Sequence, residues 1–187
     1  MGQDRGVQAD PTLVLVAGPP GTGKSTLAEE AADRLGGAAV LAWDWVMAGL
    51  TPFAGIQAAL RNLDHPSARR VGWSMLGNLA VAQLRHGRSA VLDGAARVAD
   101  IDAVRRLATD EGVTCWVVIT RCRDTTRHRR LIEARSRNIP GWHELDWDHV
   151  AGFLARWDEP AGADLYLDAT DPLPSNVARL AALLAPR

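Results

Sequence analysis

The chain has 187 residues and a formal net charge of −1, a length that suits one α/β domain with a real core and leaves little room for a second. The balanced charge offers no global basic field for nucleic acid, and no apolar stretch approaches the roughly 20 residues of a membrane span. Lys24 is the only lysine, so the other 20 of the 21 basic residues are arginine; a G+C-rich genome explains that bias, and it removes the guanine-reading N-K-x-D signature of a regulatory GTPase.

Residues 1–10 are polar and lack the apolar stretch of a signal peptide, so they read as a disordered lead-in to one domain over 11–187. Thr12–Ala17 is an apolar, β-branched run of strand length. Gly18-Pro19-Pro20-Gly21-Thr22-Gly23-Lys24-Ser25-Thr26 follows and fits G-x-x-x-x-G-K-[ST], the phosphate-binding P-loop. A helix is expected from Lys24 to Leu35, stopped by Gly36-Gly37. Glycines let the backbone close around phosphate oxygens, and the new helix adds its positive end. Gly18, Pro20, Gly21, Thr22, Gly23, Lys24, Ser25 and Thr26 are therefore the expected nucleotide contacts. Lys24 can reach the β- and γ-phosphates, and the Ser25 hydroxyl can ligate Mg²⁺.

Ala38–Trp43 is a second short apolar run, ending at Asp44. The segment 45–88 reads as a cover over the acceptor side: one or two short helices, then a helix over Ala68–Arg85 with Ser67 as its N-cap. Ser89–Leu92 is a third strand, ending at Asp93-Gly94. Asp100 can cap the next helix, and Val113–Ile119 is a fourth strand. Cys115 and Cys122 lack metal or redox spacing and read as reduced thiols. Asp124–Arg137 is strongly basic and breaks at Asn138-Ile139-Pro140-Gly141; Trp147–Trp157 is helical. Asp164–Asp168 is a fifth strand, and a last helix runs from Asn176 to Leu184. Strands alternating with helices imply parallel βαβ units in a three-layer α/β/α sandwich, with ligands at the carboxyl ends of the strands.

Those strand ends carry the candidate chemistry. An apolar strand ending in Asp93 is the pattern whose carboxylate holds Mg²⁺; the alternative is a turn aspartate. Asp44, between Trp43 and Trp45, sits in an aromatic setting that would restrict water and raise its pKa toward a useful base. It would take the proton of a substrate hydroxyl or only orient that hydroxyl, or else cap the following helix. The basic segment suits a lid over about 124–145, with Arg127, Arg130 and Arg135 as contacts to the transferred phosphate. Trp142 and His143 are candidates to line a substrate pocket. A nucleic-acid groove is the rival use of the arginines, which the net charge disfavours.

These residues resemble the small P-loop kinases over nearly the whole chain, and the P-loop is similar to that of adenylate-kinase-type and AAA-domain kinases. The stretch Leu41–Met47 is similar to the segment after the second strand of chloramphenicol phosphotransferases, where an aspartate facing the acceptor hydroxyl serves as base; the matching residue is Asp44. Val91-Leu92-Asp93 resembles the third strand and its metal-side aspartate, and Arg127–Arg137 resembles the lid. The resemblance implies a P-loop NTPase sheet of five parallel strands in order 2-3-1-4-5. It implies a Mg²⁺-dependent phosphotransferase using ATP or GTP on a hydroxyl of a small molecule, an antibiotic among the candidates. Ser25 and Asp93 would hold the metal. The expected setting is the cytoplasm, without membrane or nucleic-acid partners, and a homodimer stays open. The alternatives are a polynucleotide or nucleoside kinase, or a non-catalytic nucleotide-binding module.

Overall fold

The computed structural model describes residues 10–185. The expected lead-in thus lies, Asp10 apart, outside the described residues. The elements in order are β1 (Thr12–Ala17), α1 (Lys24–Arg34), β2 (Ala39–Ala42), α2 (Trp43–Ala48), α3 (Ala54–Arg61), α4 (His65–Arg85), β3 (Ala90–Gly94), α5 (Val98–Asp110), β4 (Thr114–Arg121), α6 (Thr125–Glu133), α7 (Trp147–Leu154), β5 (Leu165–Asp168) and α8 (Leu173–Leu184).

The strands form one sheet of five, ordered β2-β3-β1-β4-β5, with every pairing parallel. The alternation of side chains along β1 explains why both faces are covered. Leu13 and Leu15 point into a core with Leu76 of α4 and Ile101 and Val104 of α5. Val14 and Val16 point the other way, onto Leu27 and Ala31 of α1 and Leu180 of α8. All four β1 side chains are completely buried, each contributing on the order of 1.5–3 kcal/mol. The register sets Ala17 opposite Gly94 on one side and Ile119 on the other. The carboxyl ends of β1 and β3 are therefore level, β4 runs two residues further to Arg121, and the segments leaving these three strands meet at one edge.

Several element ends differ from the sequence expectation for identifiable reasons. Trp43 opens α2 instead of closing β2. Helix α4 starts at His65, capped by Asp64 and not by Ser67; the Asp64 carboxylate accepts from the Ser67 amide at 2.7 Å. Proline in the first turn of α4 and of α8 wastes no hydrogen bond, so α8 starts at Leu173, before Asn176. Asp100 does not precede α5 but lies in its first turn, where it accepts from the Arg97 amide at 2.8 Å. Helix α6 ends at Glu133, and 135–139 has no regular structure. Both cysteines are free, and burial pushes the Cys115 thiol up to about 11, away from reactivity. Among the described residues no helix is long and apolar enough to cross a membrane.

Candidate functional site

The loop between β1 and α1 is shaped by close approach. Gly18, Gly21 and Gly23 all have positive φ, at 146°, 79° and 83°. A Cβ on Gly18 would strike the Thr120 carbonyl oxygen of β4, and one on Gly21 would strike the Ile132 side chain of α6. One on Gly23 would meet nothing within 4 Å. The first two glycines thus let protein pack on the loop from outside, while the third borders open space. Thr22 ties the loop together: its hydroxyl lies 2.8 Å from Pro19 O and 2.5 Å from Thr120 Oγ1.

Helix α1 has no side-chain cap at Gly23 and no acidic residue in its first turn. In contrast, Asp64, Asp124 and Asp146 cap α4, α6 and α7 through their carboxylates. The first N–H groups of α1 are left for an anion. Lys24 Nζ donates to Pro19 O at 2.8 Å, and Ser25 Oγ donates to Asp93 Oδ2 at 2.8 Å. Burial pulls the Lys24 ammonium below its ordinary value, opposed by the charges of Asp93 and Asp44 and assisted by Arg135 and Arg137. Such a half-buried cation, costly to desolvate by itself, gains a partner when a polyanion arrives.

A cavity of about 470 Å³ runs along this edge. The loop, Asp93 and Asp44 line it, as do Arg127, Leu131, Arg135 and Arg137 from the expected lid and Asn176 of α8. Arg130 does not line it and is exposed. At 3.6 residues per turn, Arg130 falls on the side of α6 opposite His128 and Ile132, the buried pair that packs toward the loop. Arg137, absent from the expected contacts, takes a place instead and pairs with the Asp44 carboxylate. Local sequence carries no signal for this choice, because 135–139 has no regular structure and so no fixed side-chain period. Burial and the like charge of Arg137 lower the Arg135 guanidinium pKa, and its Nε has no partner among the described residues.

Asp44 lies in the first turn of α2, and no carboxylate cap bond is formed there. Its aromatic enclosure is one-sided. Trp43 packs edge-on to Trp142 with ring centroids 6.0 Å apart, whereas Trp45 is 54% exposed. The rings of Trp142 and His143 lie tilted against each other, with centroids 5.0 Å apart, and neither residue lines this cavity.

The arrangement fits a nucleotide and a divalent metal. The glycine cradle, the uncapped helix start and the orphaned Arg135 Nε suit phosphate oxygens. Among the described residues no group of three or more metal-ligating side chains is present. Mg²⁺ is commonly held by one or two protein oxygens plus substrate phosphates, the role open to Ser25 and Asp93.

Known structures share the fold. The fold is shared with a sugar kinase from Janibacter sp., at 18% identity and a TM-score of 0.68, covering 93% of this chain and 94% of that one. It is shared with a gluconokinase from Sinorhizobium meliloti at 19% identity and TM-score 0.67, covering 93% and 91%. The APS kinase of Mycobacterium tuberculosis, solved in complex with AMPPNP and APS, is 20% identical with TM-score 0.62, covering 94% and 98%. No curated protein matches the chain. The model of the AAA domain family AAA_33 matches residues 13–160, and the chain, a three-layer P-loop NTPase with the fold of the small P-loop kinases, belongs to that family.

Proposed function

We propose that this protein is a Mg²⁺-dependent phosphotransferase that moves the γ-phosphate of ATP or GTP to a hydroxyl of a small molecule. The observation that carries the reading is one cavity bordered by a phosphate cradle, the Ser25–Asp93 pair and, on the neighbouring strand end, Asp44. A module that only binds nucleotide has no need of the last.

Loop amides and Lys24 hold the phosphates in line with the acceptor. Ser25 and Asp93 would hold Mg²⁺, which when bound would offset charge on the phosphate oxygens. Asp44 orients the acceptor hydroxyl and takes its proton as the oxygen attacks; a loose transition state asks little base strength of it. Arg127, Arg135 and Arg137 neutralise the transferred group, Arg137 leaving Asp44 to do so. The segment 45–88 covers the acceptor, and within 124–145, with α6 seated on the P-loop, the stretch after α6 closes as a lid that excludes water, which would otherwise hydrolyse the nucleotide. The reaction belongs in the cytoplasm, where the donors are, and the acceptor class includes hydroxylated antibiotics.

The test is a screen of hydroxylated metabolites and antibiotics for acceptor-dependent nucleoside diphosphate release, with ATP or GTP and with or without Mg²⁺. Asp44→Asn is expected to keep nucleotide binding while kcat falls by about 10²–10⁴-fold. Near-wild-type kcat on the true acceptor refutes the role of Asp44. Nucleotide binding with no turnover on any acceptor favours the non-catalytic module.

A further inference from the structure

His128 plays no part in the chemistry above, yet it is 1% exposed and sits on the lid helix α6 against the P-loop. Its ring meets Trp147 edge-on, with centroids 5.6 Å apart. Its Nε2 lies 2.7 Å from the carbonyl oxygen of Pro20. A carbonyl oxygen only accepts, so Nε2 carries the proton and donates.

The Pro20–Gly21 peptide is planar and trans, so its C=O and N–H point to opposite sides of one rigid unit. Holding the Pro20 oxygen toward α6 turns the Gly21 N–H away from α6. The loop secures the preceding carbonyl with its own side chains, since Pro19 O accepts from Thr22 and Lys24. The Pro20 carbonyl is held from another element, 108 positions along the chain. Ile132, one turn beyond His128, fills the space where a Gly21 side chain would be. Left free, the peptide could flip through ψ of Pro20 and φ of Gly21, a rotation that glycine permits, and aim its oxygen at the phosphates.

We propose that His128 is a positioning residue: it fixes the Pro20–Gly21 peptide so that the Gly21 N–H is presented to a phosphate, which makes the lid helix a structural part of the phosphate cradle. This rests on the reading of the loop as a triphosphate site.

The test measures dissociation constants of Mg²⁺–ATP and of inorganic tripolyphosphate by calorimetry for the wild type, His128→Phe and His128→Gln. Phe keeps a planar ring without a donor, and the Gln amide reaches about as far as Nε2. The loss expected for His128→Phe is about tenfold, the same for both ligands because the defect lies at the phosphates, with Gln within about threefold of wild type. Equal affinity of His128→Phe and wild type overturns the proposal. Equal loss in Phe and Gln also overturns it, since packing of the ring would then be the cause. If His128→Phe does not fold, His128→Asn, whose amide stops one bond short of Pro20, replaces it. Asn is then expected to bind more weakly than Gln, and parity between them overturns the proposal. A wild type that binds neither ligand overturns the kinase reading itself, and this inference with it.

Discussion

Gly18 and Gly23 of the P-loop differ in what surrounds them, close-packed protein at the first and open space at the second, and alanine at each tests the proposed division between packing and phosphate contact. At Gly18 the backbone has φ 146°, and a Cβ would collide with the Thr120 carbonyl, a strand atom that cannot step aside. Positive φ costs a non-glycine residue about 1–3 kcal/mol, and the forced overpacking adds about 1–3 kcal/mol. Since about 1 kcal/mol moves the melting temperature of a chain this size by roughly 2–4 °C, Gly18→Ala is expected to melt about 5–20 °C below wild type. Gly23 has φ 83° and open space where its Cβ would go. Gly23→Ala then bears only the left-handed backbone cost of about 1–2 kcal/mol, or roughly 2–8 °C. Nucleotide affinity is expected to reverse the order: Gly23→Ala, though folded, loses more than about tenfold because its methyl group occupies the phosphate approach. Circular dichroism melts and titration with Mg²⁺–ATP measure both effects. Melting temperatures within about 2 °C of each other would refute the close-approach argument.

Further outcomes depend on charge. Burial lowers the pKa of Lys24 from its ordinary 10.5, so between the lowered value and 10.5 the unfolded chain binds more protons than the native one, and this group's contribution to stability rises with pH. Lys24→Met is thus expected to melt above the nucleotide-free wild type at neutral pH, to lose that advantage as pH climbs toward 10.5, and to bind no nucleotide; a constant or reversed gap in melting temperature opposes the reasoning. Among the arginines, Arg130→Gln is expected to leave nucleotide affinity within about twofold, whereas Arg135→Gln, which removes a charge bordering the cavity, weakens it by about tenfold. Equal effects in titration would put the wrong residue in the cavity.

Much of this molecule is encoded in local sequence. The Gly18–Thr26 motif, its strand before and helix after, the alternation of apolar runs and helices, and Asp93 at a strand end all depend on residues close in sequence. Hydrophobic periodicity and glycine spacing carry such information directly. Boundaries set by caps were less legible, because Asp64 and Ser67 both suit the cap of α4 and the choice depends on whether Pro66 enters the first turn. The arginines were ambiguous for a related reason: seven lie between Arg121 and Arg137, and only the end of α6 at Glu133 decides which of them face inward.

Tertiary structure alone decided the partnerships that shape the site. Thr22 meets Thr120 98 positions away, Asp44 meets Arg137 93 positions away, and Pro20 meets His128 108 positions away. Parallel strand register and helix docking bring these groups together, and no local pattern in one chain encodes such a pairing. The sequence by itself therefore determined the P-loop motif and its strand–loop–helix setting at this edge of the sheet. How the β4 edge and the lid helix brace that loop, and which cation shields Asp44, depended on the packed molecule, because both are set by the relative placement of elements and not by propensity within any one of them.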